Sequence, residues 1–184
     1  HDFIYGVDYS TTFNTRPRKK TTTQSGVTTI ENIKDTADAD TTKYGVYIQD
    51  ALTFDNNERV ELIAGLRYDK YDINAKNDAA YITTHDNIGV INEPVNLDEY
   101  SLNPSLSLIY DLSPDLSAYG KYSTAFRAPT YSELNTAHGN RIASGYYFLS
   151  NPELQPETSN NYEVGLKGDF SKLDFSLVGF VSKY

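Results

Sequence analysis

The sequence predicts an all-β fold, an antiparallel up-and-down sheet of the transmembrane β-barrel type. Three observations lead there. Seven runs alternate apolar and polar residues with a period of two, as strands with one apolar face do. The connections between them alternate strictly, long then short. Aromatic residues gather at the run ends, at Tyr9, Tyr44, Tyr68, Tyr71, Tyr110, Phe126 and Phe170, as interfacial girdles require. In such a sheet alternate connections emerge at the same end. The three long ones (11–42, 72–99 and 126–159) therefore share one side, and the three tight turns share the other. Short periplasmic turns, longer extracellular loops and strands of about 9–11 residues are the outer-membrane barrel pattern.

The first run, Asp2 to Ser10, sets Phe3, Tyr5, Val7 and Tyr9 against Asp2, Ile4, Gly6, Asp8 and Ser10. Residues 11 to 42 are rich in Thr, Asp, Asn and Lys and show no apolar period, so a long polar loop is expected. Its cluster Arg16-Pro17-Arg18-Lys19-Lys20 reads as solvated surface. A strand from Tyr44 to about Phe54 follows, then a tight polar turn at Asp55-Asn56-Asn57-Glu58. The clearest strand puts Val60, Leu62, Ala64, Leu66 and Tyr68 on one face and Arg67 and Asp69 on the other. A second polar loop, about 72–99, contains His85. The row Leu102, Pro104, Leu106, Leu108, Tyr110 and Leu112 leads through Ser113-Pro114-Asp115 to Leu116, Ala118, Gly120 and Tyr122. After the third long connection, Tyr162, Val164, Leu166 and Phe170 turn at Ser171-Lys172 into Leu173, Phe175, Leu177 and Val181. No amphipathic helix is expected.

Composition narrows the function classes. The net charge of −9 disfavours generic nucleic-acid binding, which needs a basic footprint. Cysteine is absent, which removes disulfides, thiolate nucleophiles and Cys-held metals. No run approaches the roughly eighteen apolar residues of a membrane helix. The mean hydropathy of −0.54 is compatible with a membrane barrel, whose strands are apolar on one face only. Enzyme signatures fail: no HExxH, P-loop, GxGxxG or nucleophile elbow occurs. The run Asp35 to Asp40 lacks the Gly and Glu spacing of a calcium loop. On these residues alone, a soluble β-sheet binding or adhesion module remains the alternative to a membrane barrel.

The chemistry concentrates in the third long connection. It is about thirty residues long, a length that in a compact domain is usually functional or disordered. Pro129 and Pro152 hold its entry and exit, because proline fixes φ. It opens with Phe126-Arg127-Ala128-Pro129 and closes with Asn151-Pro152-Glu153-Leu154, with His138 near its apex. This FRAP … His … NPEL arrangement resembles the central barrel of TonB-dependent outer-membrane receptors, and more narrowly the haem and haemoglobin receptors. There a FRAP box and an NPNL box flank a haem-binding histidine. The third NPNL position departs, being Glu153. YGVYIQD (44–50), GLRYD (65–69) and ETSNNYEVGLK (157–167) are also family-like.

The resemblance implies a specific assignment. His138 would be the axial ligand of haem, with His85 as a possible auxiliary ligand and Tyr146, Tyr147 and Phe148 as a stacking wall. Haem iron accepts His, Cys, Met or Tyr, and Cys and Met are absent here. Arg127 is expected to bridge Glu157 or Glu163 at the loop base. Haem would be transported cargo rather than a prosthetic group, delivered from haemoglobin or another haemoprotein, with outer-membrane lipid around the strands. The chain, 1–184, is expected to be a barrel segment of about seven strands from a barrel of about 22 strands. The plug domain and TonB box, through which the TonB complex acts, are not recognisable in it. A ferric-siderophore receptor is the alternative within the family.

Overall fold

A computed structural model describes residues 1–54, 58–86, 93–140 and 146–184. The main sheet has seven strands and is antiparallel throughout: β1 (Asp2–Asn14), β4 (Asp38–Phe54), β5 (Val60–Lys76), β6 (Leu97–Ser113), β7 (Leu116–Arg127), β10 (Glu157–Phe170) and β11 (Leu173–Lys183), in that spatial order. This is the up-and-down topology expected from the alternation. The sheet is open, with β1 and β11 at its edges.

Register carries each apolar row across the strands. Phe54 pairs with Val60, Val60 with Tyr110, Tyr110 with Ala118, Ala118 with Leu166 and Leu166 with Leu177. Higher up, Leu106, Tyr122, Tyr162 and Val181 form a second continuous row. This face stays exposed, with Val7 at 80% and Leu177 at 65%. Such a surface is unsuited to water and suited to lipid. Paired rings close the belt, Tyr9 with Tyr44 (5.1 Å between centroids) and Tyr68 with Tyr100 (6.3 Å) toward the long loops, Phe170 with Phe175 (6.2 Å) toward the turns.

The opposite face is polar and carries its own charge network. Arg67 donates to Asp69 at 2.6–2.9 Å and to Asp8 at 2.9 Å, and the Tyr119 hydroxyl donates to Glu163 at 2.7 Å. Gly45 makes room for this network, since a Cβ there would collide with the Arg67 guanidinium and the Asp8 carboxylate. Two aromatics assigned to the outer girdle belong elsewhere. Tyr71 is in step with Arg67 and Asp69 on the polar face, and the Phe126 ring packs on it at 5.6 Å.

Several expected boundaries are corrected. The strands outrun a bilayer crossing: β4, β5 and β6 each have 17 residues, so they continue past the apolar belt. The 11–42 stretch is not structureless. Within it β2 (Arg18–Gln24) and β3 (Val27–Ile33) form a hairpin. Ser25 (φ 51°) and Gly26 (φ 81°) are both left-handed, the requirement of a type I′ turn. The second connection holds a helix, α1 (Ala79–Asp86), and the third holds α2 (Tyr131–Asn135), β8 (His138–Asn140) and β9 (Tyr146–Phe148). No helix among the described residues is long and apolar enough to cross a membrane; strands make the crossing. The tight turn expected at Asp55-Asn56-Asn57 lies outside the described residues.

Apart from Gly45 and Gly168 in the strands, the buried residues sit at the long-loop end of the sheet. Ala39, Ile73 and Leu134 form a core cluster, with Val95, Leu97, Tyr131 and Leu154 packed against it. Thr36, Ala37, Tyr81, Asn135 and Ala137 are also buried. The long connections thus have a small hydrophobic centre of their own.

The FRAP–NPEL loop and the cleft beneath it

The loop base is built by Arg127, the last residue of β7. Its guanidinium donates to both oxygens of Glu157 at 2.8–2.9 Å and to Glu133 at 3.1–3.2 Å. Of the two expected carboxylates the structure selects Glu157; Glu163 instead accepts from Tyr119. Glu133 is the partner that sequence reading missed, and it had a signal. Thr130-Tyr131-Ser132-Glu133 is a capping-box pattern. Here the Thr130 hydroxyl accepts from the Glu133 amide, while the Glu133 carboxylate accepts from the Thr130 amide at 2.7 Å.

These contacts hold the Glu133 carboxyl down to about 2, first through the Thr130 amide, then through Arg127 and the Thr130 hydroxyl. The sign follows from the depressed value. The contribution of Glu133 to loop order is present above its ordinary value of 4.5 and is lost as pH falls toward 2. An NMR titration of Glu133 should therefore show an apparent pKa near 2. In Arg127→Ala it should rise only part of the way back, because the Thr130 donors remain. A full return to the ordinary carboxylate range would show that Thr130 contributes nothing.

Beyond α2 the connection is stitched to its neighbours. Asn135 is buried and makes a two-way contact with Val95: its Oδ1 accepts from the Val95 amide at 2.6 Å and its Nδ2 donates to the Val95 carbonyl at 2.9 Å. Thr36 bridges Thr136, and the Ala137 amide donates to the Asp35 carbonyl at 2.8 Å. The Tyr81 hydroxyl of α1 reaches the Asn135 carbonyl (3.5 Å) and the Ser150 hydroxyl (3.3 Å). All three long connections are thereby joined.

His138 opens β8 immediately after this stitched segment. Its backbone is in register with Phe148, Gly139 with Tyr147 and Asn140 with Tyr146. The histidine strand and the aromatic strand of the expected site are thus neighbours. His85 lies in α1, on a different connection at the same end. The NPEL segment returns the chain to the base. The Asn151 amide donates to the Leu134 carbonyl at 3.1 Å, and Asn151 Oδ1 accepts from the Glu153 amide at 3.0 Å. Leu154 packs on the core cluster. Position 153 contributes its backbone N–H to this turn, which explains how Glu stands there without disturbing it.

A cleft of about 320 Å³ opens under the start of the loop. Its floor comes from the polar faces of three strands, Thr12 and Asn14 of β1, Thr41 and Lys43 of β4, and Tyr71 and Ile73 of β5. Its roof is the segment 128–132.

Antiparallel strands with a lipid-suited outer face, a polar inner face and long connections at one end define an outer-membrane β-barrel. The chain belongs to the TonB dependent receptor-like β-barrel family, whose match covers residues 1–184. It is 33% identical over 144 residues to hemoglobin-haptoglobin utilization protein B of Neisseria meningitidis, covering 75% of this chain and 16% of that protein. It is 30% identical to heme/hemopexin utilization protein C of Haemophilus influenzae, over 93% of this chain and 22% of that protein. The chain thus spans about a fifth of these relatives. Among solved structures, the Serratia marcescens hemophore receptor HasR, in complex with its hemophore HasA and heme, superposes with a TM-score of 0.58. That match has 20% identity and covers 98% of this chain and 31% of that one; it supports the fold.

Proposed function

We propose that this chain is the part of an outer-membrane TonB-dependent receptor that captures haem, taken from haemoglobin or another haemoprotein, on its third long connection. The observation that carries the proposal is the arrangement of that connection. FRAP and NPEL are both fastened to the loop base, and His138 stands between them in a strand paired with Tyr146–Phe148. Two relatives whose names specify haemoglobin-haptoglobin and heme/hemopexin utilization support it. His138 supplies a neutral imidazole to the iron, and the aromatic strand supplies the macrocycle with a stacking wall. Haem is cargo: it is bound, released inward and not chemically altered, and passage depends on TonB. His85 is an auxiliary ligand.

Haemin titration of the receptor carrying this segment, in detergent, tests the reading through the Soret band. The wild type is expected to give a ligated-haem spectrum, and His138→Ala is expected to lose it. Identical spectra from the two would move the ligand to His85 or a tyrosine. A wild type that leaves the haemin spectrum unchanged would overturn the haem reading in favour of an anionic iron chelate.

A further inference from the structure

The cleft under the loop has a chemistry of its own, and what it implies rests on the haem reading above. Among the described residues, Lys43 is the one charged residue in its lining, and no Asp or Glu lines it. Five other cations of the chain, Lys34, Arg67, Lys70, Lys76 and Arg127, are each held by carboxylates. Among the described residues no carboxylate holds Lys43, and its ammonium instead lies 5.1 Å from the centroid of the Tyr71 ring. In a chain with 25 acidic and 16 basic residues, a cation without a carboxylate partner in a concave site is an unmet electrostatic demand.

The neighbours fit an anionic ligand edge. An ammonium has three donors and no acceptor, and contact with an aromatic face leaves those donors free to turn to an anion. The Thr41 hydroxyl accepts from the Asn14 amide group at 3.0 Å, which leaves its own proton to donate. Ile73 and Pro129 make the remaining wall apolar. The cleft volume is at the lower end of ligand-pocket sizes, which run from about 300 to 1,000 Å³. It admits one edge of a large flat ligand and not the whole of it.

We propose that this cleft recognises the carboxylate edge of the tetrapyrrole, with Lys43 and Thr41 receiving the carboxylates and Tyr71, Ile73 and Pro129 contacting the apolar rim beside them. Haem joins these two chemistries in one molecule, an apolar disc with its carboxylates on one side. The cleft lies on the inner face of the strands and is roofed by the start of the connection that carries His138. Capture on that loop is therefore coupled to a carboxylate contact on the lumen side.

The test compares haemin with its dimethyl ester, in which both carboxylates are blocked, on the detergent-solubilised receptor. Lys43→Ala should weaken haemin binding by about tenfold to a hundredfold, the range for a lost hydrogen bond to a charged group. It should leave the affinity for the diester and the Soret position unchanged, and Lys43→Arg should restore most of the haemin affinity. Heat-dependent gel mobility confirms that each variant is a folded barrel. If Lys43→Ala binds haemin as wild type does while His138→Ala still alters the Soret band, the cleft proposal falls and the haem reading stands. Equal weakening toward haemin and diester also overturns it. A wild type blind to haemin removes both.

Discussion

Leu106→Arg should destabilise the folded barrel in a bilayer by about 2–4 kcal/mol, whereas Ser107→Arg should change it by about 1 kcal/mol or less. The two positions are adjacent in β6, and the pleat sends them to opposite faces. Leu106 lies midway along an apolar row that runs from Leu102 to Tyr110, and it continues across the sheet to Tyr122 and Tyr162. A guanidinium there has no partner in hydrocarbon and must snorkel or thin the bilayer. Ser107 is opposite Lys121 on the polar face, where water and carboxylates are within reach. Equilibrium unfolding from lipid vesicles reads the difference directly. Equal effects at the two positions would mean that the apolar face does not meet lipid, and a soluble sheet would then be the better description.

Leu134→Ala should cost about 2–5 kcal/mol, the usual range for a buried leucine truncated in a packed cluster. The loss should appear as local opening rather than a lower barrel melting temperature. Leu134 is 1% exposed and packs with Ala39 and Ile73 beneath Val95, Leu97, Tyr131 and Leu154. That cluster stands beyond the belt, so the sheet's own hydrogen-bond ladder survives its loss. Regions of a protein open with different free energies. Hydrogen exchange should therefore quicken in 131–137 and around Val95 while the amides of β5 and β6 stay protected. Because this cluster packs on Tyr131, just after FRAP, and on Leu154 of NPEL, the proposed haemin affinity should fall with it. Exchange that quickens uniformly across the strands would show instead that loop cluster and sheet unfold as one unit.

The division between legible and hidden features follows from which forces are local. The strands and their order could be read from the residues, because a lipid-facing strand must be apolar at every second position. One break of that pattern flips a whole face. The alternation of long and short connections then left one topology, and FRAP, NPEL and the intervening histidine marked the candidate functional connection. The β2–β3 hairpin escaped because its residues are almost all exposed. Its signals are β-branched threonines and the Ser25-Gly26 turn, not apolar alternation. The extra length of β4, β5 and β6 escaped for a related reason: outside the bilayer a strand need not be apolar on one side.

By itself, the sequence determined the fold class, the orientation of the apolar face, the end at which the loops gather and the family. All of these rest on period-two patterning and contiguous motifs. Only the tertiary structure decided that Asn135 clamps Val95, that Arg127 chooses Glu133 and Glu157, and that Lys43 of β4, Tyr71 of β5 and the 128–132 segment share one cleft. Apart from Arg127 and Glu133, six residues along the same connection, these contacts join residues about 28 or more positions apart. No local period records them, and they exist because antiparallel pairing brings distant strands side by side and their loops then bury a common core.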